Sequence, residues 1–208
     1  KEELRRRYGV PLDKQVALFF GDIRADKNLD LFLRAMVPYK DRLFLVVAGQ
    51  PKSRDGSGIA KYKAMTDQLA LTDAVLWRCH YIPDKEVPDY FELCDWVAMP
   101  YSSRFTSQSG VLNVAMAHRR PVLITATPTV ASSLGELVIG VQVKPDDLAG
   151  LRSGINEMLT LVSTGRRWQF DEYLASHSWE RNAAISVWYY RAAVGAGVSS
   201  SVCPLSLG

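Results

Sequence analysis

The sequence predicts an α/β fold, a parallel sheet of about six strands with helices on both faces. Three observations carry that prediction. Short apolar stretches alternate with helical ones along most of the chain. Most of the apolar stretches are continuous and do not alternate with polar residues, as expected of strands buried on both faces. Two of them end in glycine ahead of a charged or polar loop and a helix, the punctuation of a strand–crossover–strand unit.

Residues 1–8 read as a charged helix, solvated through Arg5-Arg6-Arg7 and stopped by Gly9-Val10-Pro11. Residues 15–21 are the first strand. The charged loop Asp22-Ile23-Arg24-Ala25-Asp26-Lys27 follows, and Asn28 caps a helix whose Leu29, Phe32, Leu33 and Met36 recur at helical spacing. Residues 42–49 form the second strand. In the polar loop 50–58, Gly56-Ser57-Gly58 is not a dinucleotide fingerprint, because a loop and not a strand precedes it. A helix over 59–71 and a third strand over 74–79 come next. Asp84-Lys85-Glu86 opens a helix through Tyr90, Phe91 and Leu93 that tolerates Pro88 in its first turn.

Residues 96–125 are the centre of the pattern. Trp96-Val97-Ala98-Met99-Pro100-Tyr101 is a strand, a loop of Ser, Arg and Thr follows, and Ser107-Gln108-Ser109-Gly110-Val111-Leu112 opens a helix before the strand at 121–125. Either Ser107 or Ser109 can cap that helix. The free N–H groups of Gly110, Val111 and Leu112, with the positive end of the helix dipole behind them, suit an anion. Gly110 has no Cβ and so admits a close approach. The plainer alternative is that Ser-Gly only starts a helix.

Residues 130–137 form a short helix and 138–143 the last strand. Pro145-Asp146-Asp147 caps a longer helix through Leu148, Leu151, Ile155, Met158 and Leu159, ended by Gly165, and helices over 168–175 and 179–193 close the fold. The chain thus reads as one domain over 1–194 and a flexible tail over 195–208. Because it opens at Lys1 inside a helical stretch, we read it as a piece of a longer protein.

A Rossmann-like sheet of this kind binds ligands at the carboxyl ends of its strands, in the crevice where the strand order reverses. Residues 21–27, 49, 79–82 and 101–110 converge on that rim. Arg24 and Lys27 would face the helix start at Ser109-Gly110, and two cations opposite free N–H groups suit a diphosphate. The competing reading of Arg-x-x-Lys is a solvated loop, in which Lys27 contributes little to stability. His80, Tyr81 and Ile82, after the third strand, offer a ring and backbone groups for a nucleobase.

Composition excludes several other classes. A net charge of +3 over 208 residues, with no basic patch, argues against nucleic acid as partner. Cys79, Cys94 and Cys203 lack metal-ligand spacing and fit reduced thiols of a cytosolic protein. The apolar runs are far shorter than a bilayer requires. There is no G-x-x-x-x-G-K-[ST] loop, G-x-S-x-G elbow or H-E-x-x-H pair, and His80, His118 and His177 are scattered.

Several stretches together resemble the family 4 glycosyltransferases of GT-B fold. Phe20-Gly21-Asp22-Ile23-Arg24-Ala25-Asp26-Lys27-Asn28-Leu29-Asp30 resembles their first strand and phosphate loop. Tyr81-Ile82-Pro83-Asp84 with Glu86-Val87, Tyr90-Phe91 and Asp95 is similar to their third crossover. Ser107 to Leu112 with Ala115-Met116-Ala117 and Pro121-Val122 resembles the donor-site helix, and Ser178-Trp179 the final helix. The resemblance runs from residue 10 to residue 190.

It implies the C-terminal half of a GT-B enzyme that moves a sugar from a nucleoside diphosphate to an acceptor, with retention at the anomeric carbon and no obligatory metal or cofactor. Arg24, Lys27, Ser109, Gly110 and Val111 would hold the donor diphosphate, and His80, Tyr81 and Ile82 the nucleobase. Gly21, Thr106 and Val114 would lie near the donor sugar or ribose. No catalytic residue is assigned. The acceptor would be bound mainly by an N-terminal domain outside this sequence, and the piece alone would be inactive because half a site cannot exclude water from the reacting sugar. The implied location is the cytoplasm, or the inner face of a membrane for the full-length protein.

Four positions depart from the family. Thr106 and Val114 stand where relatives carry two Glu residues, Asp22 where many have an Arg, and Arg119 where they have Gly. A valine accepts no hydrogen bond from a ribose hydroxyl. The missing Glu pair favours the alternative of a non-catalytic GT-B-like scaffold or regulatory partner. A sugar-nucleotide epimerase of similar fold is disfavoured, because the rim offers no carboxylate pair for acid–base work.

Overall fold

The computed structural model describes residues 1–52 and 58–193. The expected flexible tail, Cys203 and the Gly56-Ser57 dipeptide lie outside the described residues. The chain divides into two units, residues 1–168 and 169–208.

In the first unit helix α1 (Glu2–Tyr8) ends at Gly9, whose φ of 71° is the left-handed conformation of a helix stop. Then follow β1 (Gln15–Phe20), α2 (Leu29–Met36), β2 (Leu43–Ala48), α3 (Ala60–Gln68), β3 (Val75–Arg78), α4 (Val87–Leu93) and β4 (Trp96–Met99). The series continues through α5 (Gly110–Ala117), β5 (Val122–Thr125), α6 (Pro128–Leu134), β6 (Gly140–Val143) and α7 (Leu148–Ser163). The second unit contains α8 (Phe170–Ser176) and α9 (Trp179–Ala193), the latter capped where the Arg181 N–H donates to Ser178 Oγ at 3.1 Å.

The six strands form one sheet in the order β3-β2-β1-β4-β5-β6, every neighbouring pair parallel. The order reverses between β1 and β4, which therefore flank the switch point. Continuous apolar strands have their explanation here. Ala17, Phe19, Leu45, Val47, Trp96 and Leu123 join one buried cluster with Phe32, Leu33 and Met36 of α2 and Leu151, Ile155, Met158 and Leu159 of α7. The alternate residues Val16, Leu18, Val46, Val97, Val122 and Ile124 point to the opposite face and are just as buried. The four central strands β1, β2, β4 and β5 are thus covered on both sides, as the sequence predicts, while the edge strands β3 and β6 are partly exposed.

Three local expectations are corrected. The Arg5-Arg6-Arg7 run is not wholly solvated, since Arg5 is buried against Asp95, with Nη2 donating to Oδ2 at 2.7 Å. Asn28 precedes α2 without capping it by its side chain, because its own backbone is left-handed at φ 59°. Only Asp147 caps α7, accepting from the Gly150 N–H at 3.0 Å; Asp146 has other partners.

Candidate functional site

At the carboxyl edge of the sheet, where β1 and β4 diverge, lies a cavity of about 510 Å³. Gly21, Asp22, Arg24 and Lys27 line it from the β1 side, and Tyr101, Phe105, Ser107, Gln108, Ser109, Gly110, Val111 and Val114 from the β4 side and α5.

The β4 side is built around the helix start. Ser109 is the cap and Ser107 is not: Ser109 has extended backbone, and its Oγ accepts from the Leu112 N–H at 3.3 Å. Gly110 follows as the first helical residue, and a Cβ there would meet no atom within 4 Å. The helix N-terminus is therefore open to whatever occupies the cavity. Tyr101 braces it, its hydroxyl 2.7 Å from Ser109 Oγ and its ring stacked on Phe105 at 4.0 Å. The Tyr101 carbonyl accepts from Thr125 Oγ1 at 2.6 Å, which ties the brace to β5.

On the β1 side, residues Ala25–Lys27 coil into a short 3-10 turn that draws Lys27 inward until it is only 6% exposed. Lys27 is thus not the solvated loop lysine of the competing sequence reading. Its Nζ donates to the Phe20 carbonyl at 3.2 Å. Burial, with the neighbouring Arg24 cation, pushes its amine down to about 8. Gly21, at φ 85°, leaves room for that amine, since a Cβ there would stand 3.1 Å from Lys27 Nζ and 3.4 Å from Val111 Cγ2. Lys27 and the first turn of α5 thus flank the same glycine. Arg24 pairs with Asp26 at 3.2 Å through Nη2, while its buried Nε has no partner among the described residues.

Two polar ties hold the sides together. The Ser102 N–H donates to the Asp26 carbonyl at 2.9 Å. Asp146 accepts from Asn28 Nδ2 and from the Ser103 N–H, each at 2.9 Å, so one carboxylate bridges the loops after β1 and β4. The Ser103 contacts hold that carboxyl below the usual range. Capping seemed a sufficient reason for an Asp-Asp pair ahead of a helix, which is why the sequence hid this role. Gly49 does not line the cavity; a Cβ at its φ of 143° would collide with the Gly21 carbonyl, so its smallness lets the loops after β1 and β2 pack.

Of the residues expected at the site, Gly21, Arg24, Lys27, Ser109, Gly110, Val111 and Val114 line one cavity. His80, Tyr81, Ile82 and Thr106 are not in its lining: His80, Tyr81 and Thr106 are exposed and Ile82 is buried. Tyr101 and Asp146 acquire roles that no local pattern announces. Among the described residues, no group of three or more His, Cys, Asp or Glu is placed to hold a metal ion, and no helix is long and apolar enough to cross a membrane.

Comparison with known proteins gives the context of this geometry. The family model described as glycosyl transferases group 1 matches residues 1–173. A D-inositol 3-phosphate glycosyltransferase of Kineococcus radiotolerans is 33% identical over 174 residues, 79% of this chain and 37% of the relative. Sucrose-phosphate synthase (tll1590) from Thermosynechococcus elongatus superposes with a TM-score of 0.77 at 19% identity, over 95% of this chain and 50% of that one. Anabaena Alr3699/HepE, in complex with UDP and glucose, superposes with a TM-score of 0.66 at 19% identity, over 78% of this chain and 42% of its own. The chain therefore spans half or less of the length of each of these proteins, and the likeness to the two solved structures is one of GT-B fold.

Proposed function

The chain belongs to the group 1 glycosyl transferases, and from that premise we propose that it is the donor-binding domain of a retaining family 4 enzyme, which transfers a sugar from a nucleoside diphosphate to an acceptor. The observation that carries this reading is the arrangement across the β1–β4 crevice. A buried Lys27, whose hydrogen-bond partner is the Phe20 carbonyl, and the Arg24 side chain line the same cavity as the open helix start at Ser109-Gly110. A diphosphate would supply the counter-charge that Lys27 lacks and the acceptors that the N–H groups lack. In this reading Lys27 and Arg24 neutralise the diphosphate as it becomes a leaving group, and Gly110 and Val111 orient it through the backbone.

The donor sugar or ribose lies toward Gly21, Thr106 and Val114, and the base toward His80, Tyr81 and Ile82. That Anabaena Alr3699/HepE has been crystallised with UDP makes UDP the first nucleotide to try. Binding needs no metal in this reading, so a chelator leaves it unchanged. The acceptor is held by the half of the enzyme beyond this sequence, and residues 1–208 alone form no glycosylated product. We place the full-length enzyme in the cytoplasm or at the inner face of a membrane.

Calorimetric titration of UDP, GDP, ADP and CDP into the chain at low salt tests the proposal. One of them binds to wild type, while Gly110→Val, whose side chain enters the open space before the helix, abolishes binding without loss of fold. A second reading, a GT-B-like module without donor binding, is favoured by Thr106 and Val114, where an acidic pair would be expected. If wild type binds no nucleoside diphosphate, that second reading replaces the first.

A further inference from the structure

Ser109 stands at the centre of a proton-ordering problem. A serine hydroxyl has one proton and accepts at two lone pairs. Ser109 Oγ accepts from the Leu112 N–H at 3.3 Å and lies 2.7 Å from the Tyr101 hydroxyl, a bond that can run in either direction. The surroundings choose the direction. Tyr101 is only 2% exposed, and Ser109 is the partner its hydroxyl has in the structure. Burial pushes the phenol up to about 12, so its proton is present at neutral pH. Were Ser109 the donor, the Tyr101 proton would be left unsatisfied in the interior, a cost comparable to a lost hydrogen bond. With Tyr101 as donor, both Ser109 lone pairs are filled. The spare proton then sits on the partly exposed residue that lines the cavity.

We propose that Tyr101 is a positioning residue that fixes the Ser109 hydroxyl as a donor toward the cavity, so that one O–H joins the N–H groups of Gly110 and Val111 in holding an anionic oxygen. The inference rests on the donor-site reading and specifies how that site is polarised. Without the Tyr101 hydroxyl, a lone pair of Ser109 is freed and its rotor can present that lone pair, which repels an anion. The ring itself stays in place in Tyr101→Phe, stacked on Phe105 and with its carbonyl still tied to Thr125.

The test is a double-mutant cycle on the 208-residue chain, with UDP and inorganic pyrophosphate as probes and the melting temperature as a check on fold. Tyr101→Phe and Ser109→Ala each weaken both probes about tenfold, the loss expected for one hydrogen bond to a charged group. The double variant is no weaker than Ser109→Ala alone, because Tyr101 acts only through Ser109. Ser109→Thr, which keeps the hydroxyl, stays within about threefold of wild type. Full affinity in Tyr101→Phe, or losses that multiply in the double variant, overturns the inference while leaving the donor site intact. If Tyr101→Phe does not fold, equal affinities of Ser109→Ala and Ser109→Thr overturn it instead. Wild type that binds neither probe removes the donor-site reading, and this inference with it.

Discussion

Two cations in the first unit, Arg5 and Lys27, are equally buried at 6% exposure, yet they stand at opposite ends of β1 and differ in almost every other respect. Arg5, at the amino end of the sheet, is saturated. Its Nη2 meets Asp95 at 2.7 Å, its Nε the Leu93 carbonyl at 2.8 Å and its Nη1 the Lys14 carbonyl at 3.3 Å. Asp95 is engaged in turn by the Val16 N–H and Lys1 Nζ, each at 2.6 Å. Lys27, at the carboxyl end, has one carbonyl partner, and the neighbour that most affects its charge is another cation, Arg24. Burial alone therefore does not distinguish a structural charge from a functional one. The counter-charge separates them: Arg5 has its carboxylate partner within the fold, whereas Lys27 has no ion-pair partner among the described residues, which is why the donor-site proposal assigns it to a ligand.

The widest separation between the two sites should come from removing each charge. Arg5→Ala breaks a buried ion pair and leaves Asp95 with only the more exposed Lys1 as a cation. Denaturant unfolding should show a loss of about 3 to 5 kcal/mol, with nucleotide affinity unchanged in the protein that remains folded. Lys27→Met should do the reverse. Calorimetry should show nucleoside diphosphate binding weakened by about 1.5 to 3 kcal/mol, ten- to a hundredfold, while the unliganded fold is as stable as wild type or more so. A clear loss of stability in Lys27→Met, or of affinity in Arg5→Ala, would erase the contrast.

A smaller effect sharpens it through pH. Because the folded-state Lys27 amine sits at about 8, below its unfolded value of 10.5, the unfolded chain binds more protons across that window. Stability conferred at this position therefore rises as pH climbs from about 8 toward 10.5, and is absent below it. Wild type should gain stability over Lys27→Met across that range in urea titrations. Diphosphate affinity should fall over the same range, since the neutral amine loses its attraction for the anion. The smallest expected effect belongs to Asp146→Ala. Cutting its bridge between Asn28 and Ser103 should cost about 1 kcal/mol of stability, and weaken nucleotide binding a few-fold by loosening the two loops without removing any group that touches the anion.

What the sequence revealed about these sites follows the range of the interactions. Strand identity and the parallel crossovers were legible because continuous apolar runs are local patterns, and each strand boundary falls within about two residues of its expected place. Ser109 was legible to within a choice of two, since a cap and the N–H it accepts lie three residues apart. The burial of Lys27 and Arg5 was not. Each is charged and sits in a polar stretch, where nothing local shows that the 3-10 turn tucks Lys27 onto the Phe20 carbonyl or that Asp95, 90 residues on, draws in Arg5. The bridge at Asp146 was hidden for the same reason, its partners lying at positions 28 and 103. His80 and Tyr81 follow β3 as expected, and their distance from the cavity lining reflects strand order, since β3 is the edge strand of the sheet.

The joint beneath the β1–β4 crevice is short. β1 pairs with β2 over six residues, from Gln15↔Leu43 to Phe20↔Ala48, but with β4 over only two, Ala17↔Trp96 and Leu18↔Val97. The sheet is thus two sets of three strands joined by a narrow ladder, one set drawn from the residues before α4 and the other from those after it. An anion held by Lys27 on one side and Gly110 on the other, as proposed, would be a rivet across that joint and would stabilise it by its own binding free energy. Local opening should then be damped first where the two sets meet. The Asp95 amide, which donates across the seam to the Val16 carbonyl at 2.8 Å, is the proton whose exchange with solvent slows most when nucleotide is added.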